Sequence, residues 1–199
     1  MFDDTVEGLA ALLNLGTFLE FPRAKNYALQ QLNALPTWSP FLKLYLALRN
    51  DISEWAQAAF RHIVLNVSLD EITLNNVVCI GGPTYWAIVR AKNEIIEHRR
   101  LLAFDWPEAI HTPTCNSHTA CGIAWKSEWW FTFAKCVLHP DDKYTPADAL
   151  REVELTDTHY MPEACKALTI QAVKDDGALE QDEEIIEKAL HTLLQSSHQ

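Results

Sequence analysis

His111-x3-Cys115-x2-His118-x2-Cys121 is the densest run of chemically capable side chains in the sequence. Thiolate sulfur and imidazole nitrogen are the donors that tetrahedral zinc takes, so the run could in principle surround that metal. Cys136-x2-His139 follows on the next helical stretch and could replace one ligand. The same residues allow a second chemistry. A cysteine near a helix N-terminus beside His118 has the ingredients of a thiol nucleophile. Neither chemistry is complete in the sequence. Structural zinc sites usually draw on two separated ligand pairs, whereas these four donors lie in one loop running into a helix. The nucleophile lacks a third orienting group and an oxyanion hole. The expectation is therefore that Cys121 and Cys136 pack on a tryptophan-rich helix as small apolar groups, with His111 and His118 solvated in a loop. No catalytic, cofactor-binding or metal-ligating residue is assigned. A small zinc-binding domain using Cys115, His118 and Cys121 stands as the alternative.

Other candidate motifs read as structure. Gly81-Gly82-Pro83 precedes a helix but lacks both a preceding strand and a following Lys-Ser or Lys-Thr, so it reads as a turn rather than a phosphate loop. The pairs Asp141-Asp142 and Asp175-Asp176 lie in turn-like sequence, without the apolar surroundings that tune carboxylates for acid–base work. GxSxG, HExxH, GxGxxG and CxxC do not occur. The chain is read as non-enzymatic, with no cofactor.

Charge narrows the partners. Lys and Arg number 16 against 27 Asp and Glu, a formal net charge of -11. Nucleic-acid binding needs a cationic field that displaces counterions from phosphates, and this chain carries the opposite field. Its best basic cluster, Arg90, Lys92, Arg99 and Arg100, alternates with Glu94 and Glu97 and reads as a solvated, salt-bridged helix face. No run approaches the roughly 20 apolar residues a bilayer requires. The odd count of five cysteines and an N-terminus, Met1-Phe2-Asp3-Asp4, without a basic or cleavable leader argue for a reduced intracellular chain, cytoplasmic or nuclear. The expected partner is another protein.

The elements that must carry these residues are helices. Val6, Leu9, Leu12, Leu13 and Phe18 recur at helical spacing, and Pro22 suits the first turn of a second helix that ends at Leu35-Pro36. Ser39-Pro40 opens a third, with Leu42, Tyr45, Leu46 and Leu48 on one face. Asp51 is placed as the cap of a fourth carrying Trp55, Ala59 and Ile63. Ser68 and Glu71 form a capping-box pattern. Gly81-Gly82-Pro83-Thr84 opens a long helix that runs through Trp86, Val89, Ile95 and Ile96 to about Leu102. Cys121, Trp125, Trp129, Phe133 and Cys136 define the next. Adjacent Trp130 and Phe131 widen its apolar face, so burial around much of its circumference is expected, with His139-Pro140-Asp141-Asp142 as the stop. Thr145-Pro146 and Met161-Pro162 start two more; the latter carries Ala164, Cys165, Leu168 and Ala172. The last helix runs from Leu179 to Leu194, and Ser196 to Gln199 should fray. These patterns give an all-α fold, a multi-helix bundle of two lobes at 1–103 and 118–199 joined by the loop 104–117. Of seven tryptophans, Trp55, Trp86, Trp125 and Trp129 are expected in cores, and Trp38 and Trp106 near helix ends.

The order of these segments resembles a known family. Gly16-Thr17-Phe18-Leu19-Glu20-Phe21-Pro22-Arg23-Ala24, Leu44 to Arg49 with Asp51-Ile52-Ser53-Glu54-Trp55, and Leu69-Asp70-Glu71-Ile72 are similar to the helical region that follows the BTB/POZ domain in basidiomycete fungal BTB proteins. Cys115 and Cys121 through Trp125, Trp129 and Trp130 to Leu138-His139-Pro140-Asp141 resemble its second lobe, and Glu183 to Ala189 its closing helix. The resemblance implies a BACK-like all-α region that positions protein partners, with an adaptor role in ubiquitin ligation or transcription where a BTB domain accompanies it. This sequence is expected to start beyond that domain, which leaves BTB dimerisation and cullin recruitment unsupplied. It also has one cysteine, Cys165, where the family usually has two.

Overall fold

The computed structural model describes residues 5–36, 38–139 and 144–196, and every regular element among them is helical. The all-α class follows. Residues 1–4, 37, 140–143 and 197–199 lie outside the described residues, and with them Asp141-Asp142, the expected stop at Pro140 and most of the expected frayed end. The chain divides into two compact units, the described residues of Met1–Lys92 with Ile186–Gln199, and Asn93–Ile185.

In the first unit, α1 (Val6–Phe18) packs on α2 (Pro22–Ala34). The Thr5 hydroxyl accepts the Gly8 N–H at 3.2 Å and closes the start of α1. Leu9, Ala10, Leu13 and Gly16 form its buried face. Phe18 is 82% exposed, contrary to the periodicity, because it is the last helical residue and the chain turns away through Glu20 at φ 49. α3 (Pro40–Arg49) packs on α4 (Ser53–Asn66) and α5 (Leu74–Ile80). Its buried side is Phe41, Leu44, Leu46 and Ala47, so of the expected face only Leu46 is fully inside. Complete burial of side chains such as Leu13, Leu44, Phe60 and Ile63 contributes about 1.5–3 kcal/mol each. Asp51 does not cap α4. It occupies left-handed backbone at φ 54, and Ile52 takes the cap position. Ser68 and Glu71 make the expected capping box, here on a short 3-10 turn, Leu69–Glu71.

Gly81, at φ 81, is the hinge into α6 (Gly82–Phe104), a conformation that favours glycine. The buried stripe of α6 is Thr84, Ile88, Ala91, Ile95, His98, Arg99 and Ala103. Trp86 falls off that stripe and is 66% exposed, which corrects its placement as a core anchor.

The second unit is organised around tryptophan. α7 (His118–Glu128) runs without interruption into a π-helical segment, Trp129–Ala134, and a last α turn, α8 (Lys135–Val137). α9 (Pro146–Leu155) and α10 (Glu163–Asp175) complete the unit's core, and α11 (Gln181–Ser196) begins within it. Cys121, Trp125, Trp129, Phe133, Val137, Leu150, Val153, Cys165 and Ile170 belong to one buried cluster. Trp129 and Phe133 stack with ring centroids 3.8 Å apart. Trp130 and Phe131 are not buried; they are 44% and 69% exposed. A π-helical turn takes up an extra residue, which keeps Trp129 and Phe133 inside while their neighbours face solvent.

α10 turns a different face inward than its apolar residues imply. Leu168 is 46% exposed, whereas Cys165, Lys166, Thr169, Ile170 and Val173 are buried. Lys166 is only 1% exposed, yet its ammonium donates to the carbonyls of Glu154, at 3.1 Å, and Thr156. These are carbonyls at the end of α9, so the charge satisfies groups that a helix C-terminus leaves bare.

Candidate functional site

The end of α6 and the irregular segment 105–117 that follows it are held by tryptophans and by α10. The Trp125 Nε1–H donates to the Pro107 carbonyl at 2.8 Å, and the Trp129 Nε1–H to the Leu102 carbonyl at 3.1 Å. The Ile110 N–H donates to Thr169 Oγ1 at 2.9 Å. Held in this way, the segment delivers His111 and Cys115 to Cys121, on the second turn of α7, and Cys165, in the first turn of α10. One ligand atom from each of these four residues lies within 4.8 Å of all the others. Cys121 and Cys165 are buried; His111 and Cys115 are half-buried.

The sequence run is thus only partly gathered. Cys115 and Cys121 join the cluster, but His118 does not. Its ring stacks on His111 at 4.3 Å with 3° between planes, and His118 itself is exposed. His111, expected as a solvated loop residue, takes the imidazole position instead. Cys165 comes from a separate part of the sequence, where its place among the apolar residues of the helix begun by Met161-Pro162 points to packing and not to the 111–121 run. Cys136 and His139 fall elsewhere; neither is among the four.

The surroundings tune the thiols in opposite directions. Burial, with the neighbouring sulfurs of Cys165 and Cys115 adding to it, pushes the Cys121 thiol up to about 12. Hydrogen bonds from the Thr112 backbone N–H and then its hydroxyl hold the Cys165 thiol below its ordinary value. Burial raises Cys79 and Cys136. A thiol that stays protonated is a poor nucleophile, and Cys165 is sealed from solvent, so the cluster is badly arranged for attack on a substrate. All five cysteines are free. Three sulfurs and one nitrogen converging on a point are, however, a donor set for a soft or borderline tetrahedral metal.

A second feature lies on the same unit. Trp130, Phe131, Ala134, Lys135, Leu138 and His139 line an open depression of about 410 Å³ on the π-helical side. Phe104 packs against Trp130 with ring centroids 5.4 Å apart. Trp106, 43% exposed, sits under the Lys126 ammonium at 3.7 Å.

The basic cluster of α6 is not a uniformly solvated face. Arg100 and Glu97 pair at 2.6 Å in solvent as expected. Arg99 is 5% exposed and donates from Nε to Asp182 at 2.9 Å, while His98 Nδ1 lies 3.0 Å from the other oxygen of the same carboxylate. Gly81-Gly82-Pro83 is a helix entry, and Asp175-Asp176 ends α10 before left-handed Gly177. No helix among the described residues is long and apolar enough to cross a membrane. Family models, curated proteins and solved structures gave no match to this chain.

Proposed function

We propose that the chain is a non-enzymatic helical protein-interaction module that docks an apolar segment of a partner in the depression beside the π-helical segment. The observation that carries this reading is the exposure of Phe131, Trp130 and Leu138 around one open, largely apolar hollow. Aromatic side chains cost solvation when left in water and supply large contact area when covered, which is why they concentrate at binding hot spots. Lys135 and His139 give that hollow a polar rim. π-Helical turns interrupt regular hydrogen bonding and recur at functional positions. The resemblance of the motif order to the helical region after the BTB/POZ domain of basidiomycete fungal proteins points the same way and would extend the reading to an adaptor that positions a partner. The acidic net charge favours a protein ligand over a nucleic acid.

A photo-crosslinking residue at position 131, in the full chain expressed in cells, tests the proposal. The expected result is a discrete adduct that Trp130→Asp removes and Trp86→Asp leaves intact. A crosslinking pattern no different from that of a probe at position 86 counts against it.

A further inference from the structure

The hollow beside Trp130 leaves the converging thiols unexplained. We propose that His111, Cys115, Cys121 and Cys165 are the four ligands of a zinc(II) ion, in a closed site that staples the irregular segment 105–117 to α7 and α10. Their ligand atoms already fall within 4.8 Å of one another. Zinc–sulfur bonds of about 2.3 Å and zinc–nitrogen bonds of about 2.0 Å set tetrahedral ligand atoms roughly 3.5–3.8 Å apart. Closing onto the ion therefore needs side-chain adjustments of about 1 Å, well within rotamer freedom. The Nδ1 edge of His111 faces the Cys115 sulfur at 3.8 Å, so that nitrogen is already turned to the cluster.

The donor set selects the metal class. Three thiols and an imidazole suit zinc and other soft or borderline ions and exclude magnesium and calcium, which take oxygen. Four protein ligands fill a tetrahedron and leave no position for water, so the role is structural rather than hydrolytic. Binding one zinc(II) as three thiolates and a neutral imidazole releases three protons and leaves a net charge of minus one. Groups that would support that charge are in place. The Thr112 N–H and hydroxyl lie 3.4 and 3.5 Å from the Cys165 sulfur, and Cys165 stands in the first turn of α10, at the positive end of the helix dipole.

Packing alone does not account for the arrangement. Core packing places Cys115, Cys121 and Cys165 together, but it gives no reason for an imidazole nitrogen to turn to the sulfur of one of them. Only His111 and Cys115 are close in sequence; Cys121 and Cys165 come singly from two helices, so the fold rather than a paired motif assembles the four donors.

The test uses the full chain, purified without chelator, and zinc(II) or cobalt(II) as the probe. Elemental analysis should find one zinc per chain. Exchange for cobalt(II) should give the intense visible absorption of a tetrahedral cobalt thiolate. His111→Ala, at a half-buried loop position that the core does not need, should weaken zinc binding by more than the roughly 10–100-fold that loss of a supporting hydrogen bond costs. His111→Cys should restore it. His118→Gln, Cys79→Ser and Cys136→Ser should bind zinc like the parent. A parent chain that neither carries zinc nor develops the cobalt spectrum overturns the proposal. So does mass-spectrometric detection of a Cys115–Cys121 or Cys121–Cys165 disulfide in the freshly purified chain, or undiminished zinc in His111→Ala.

Discussion

Thr112 donates its backbone N–H to the Cys165 sulfur at 3.4 Å, across 53 positions of sequence. The Thr112 hydroxyl lies 3.5 Å from the same atom. The backbone donor survives every substitution but proline, whereas the hydroxyl can be removed alone. Thr112→Val keeps the shape of the side chain and takes away one hydrogen bond to a sulfur that would carry negative charge on zinc. The expected outcome is about a tenfold weaker zinc affinity with unchanged stoichiometry, measured by competition with a chromogenic chelator. Equal affinity in parent and variant would show that the hydroxyl does not support the site.

A buried carboxylate is the second test of how the 93–185 unit is held. Asp182 lies in the first turn of α11, 5% exposed, and accepts from Arg99 Nε through one oxygen while the other meets His98 Nδ1. Removing one partner of a buried pair is expensive because it leaves a desolvated charge behind. Asp182→Asn conserves size and shape and deletes only the charge. It should lower stability by about 3 kcal/mol, read as a shift in the urea midpoint with unchanged slope. A shift within the range of an ordinary surface substitution, about 0.5 kcal/mol, would mean that the carboxylate is dispensable.

These two cases mark where the sequence stops being informative. Helical class, the starts at Pro22, Pro40 and Pro146 and the capping pattern at Ser68 depend on neighbours a few residues apart, so local spacing reveals them. Trp55, Trp125 and Trp129 are legible as core from their helical spacing, whereas Trp86, read in the same way, lies off the buried stripe of α6. Arg99, Lys166 and Asp182 were not, because their burial depends on partners supplied by other elements. The His–Cys cluster shows the same division. Cys115 and Cys121 sit in one short run, but His111 against His118 is a choice of loop geometry, and Cys165 arrives from a different helix. The exposure of Trp130 and Phe131 depends on one π-helical turn, which periodicity at α-helical spacing misplaces.

Gly16 offers a test in the 1–92 unit where two effects oppose each other. A Cβ at this position would meet the backbone nitrogen of Lys25 at 2.8 Å and the Lys25 Cα at 3.2 Å. Alanine is favoured over glycine in a helix interior by about 1 kcal/mol. Overpacking a close contact costs about 1–3 kcal/mol, and here the obstructing atoms are main chain, which cannot rotate away. The clash should prevail. Gly16→Ala is expected to destabilise by about 1 kcal/mol, seen as a lower thermal midpoint, and any stabilisation would mean that α1 and α2 can separate at little cost.

The start of α9 gives a prediction in pH. The Asp148 carboxyl is held below its ordinary value, chiefly by the Thr145 hydroxyl, with the Thr145 N–H and Arg151 assisting and partial burial opposing. The hydroxyl donates to Oδ2 at 2.7 Å and accepts the Asp148 N–H at 3.1 Å. A carboxyl whose value falls on folding stabilises the folded state above its unfolded value, near 3.9, and that contribution fades as pH drops through the folded value. Thr145→Ala removes both halves of the exchange and should cost about 1 kcal/mol at neutral pH. The share that depends on carboxylate charge disappears in acid, while the share from the N–H contact does not. Urea midpoints of parent and variant should therefore draw closer as the pH falls through the acid range without meeting, and NMR titration should place Asp148 higher in the variant. A gap that is constant from neutral to acid pH would assign the whole effect to the N–H contact.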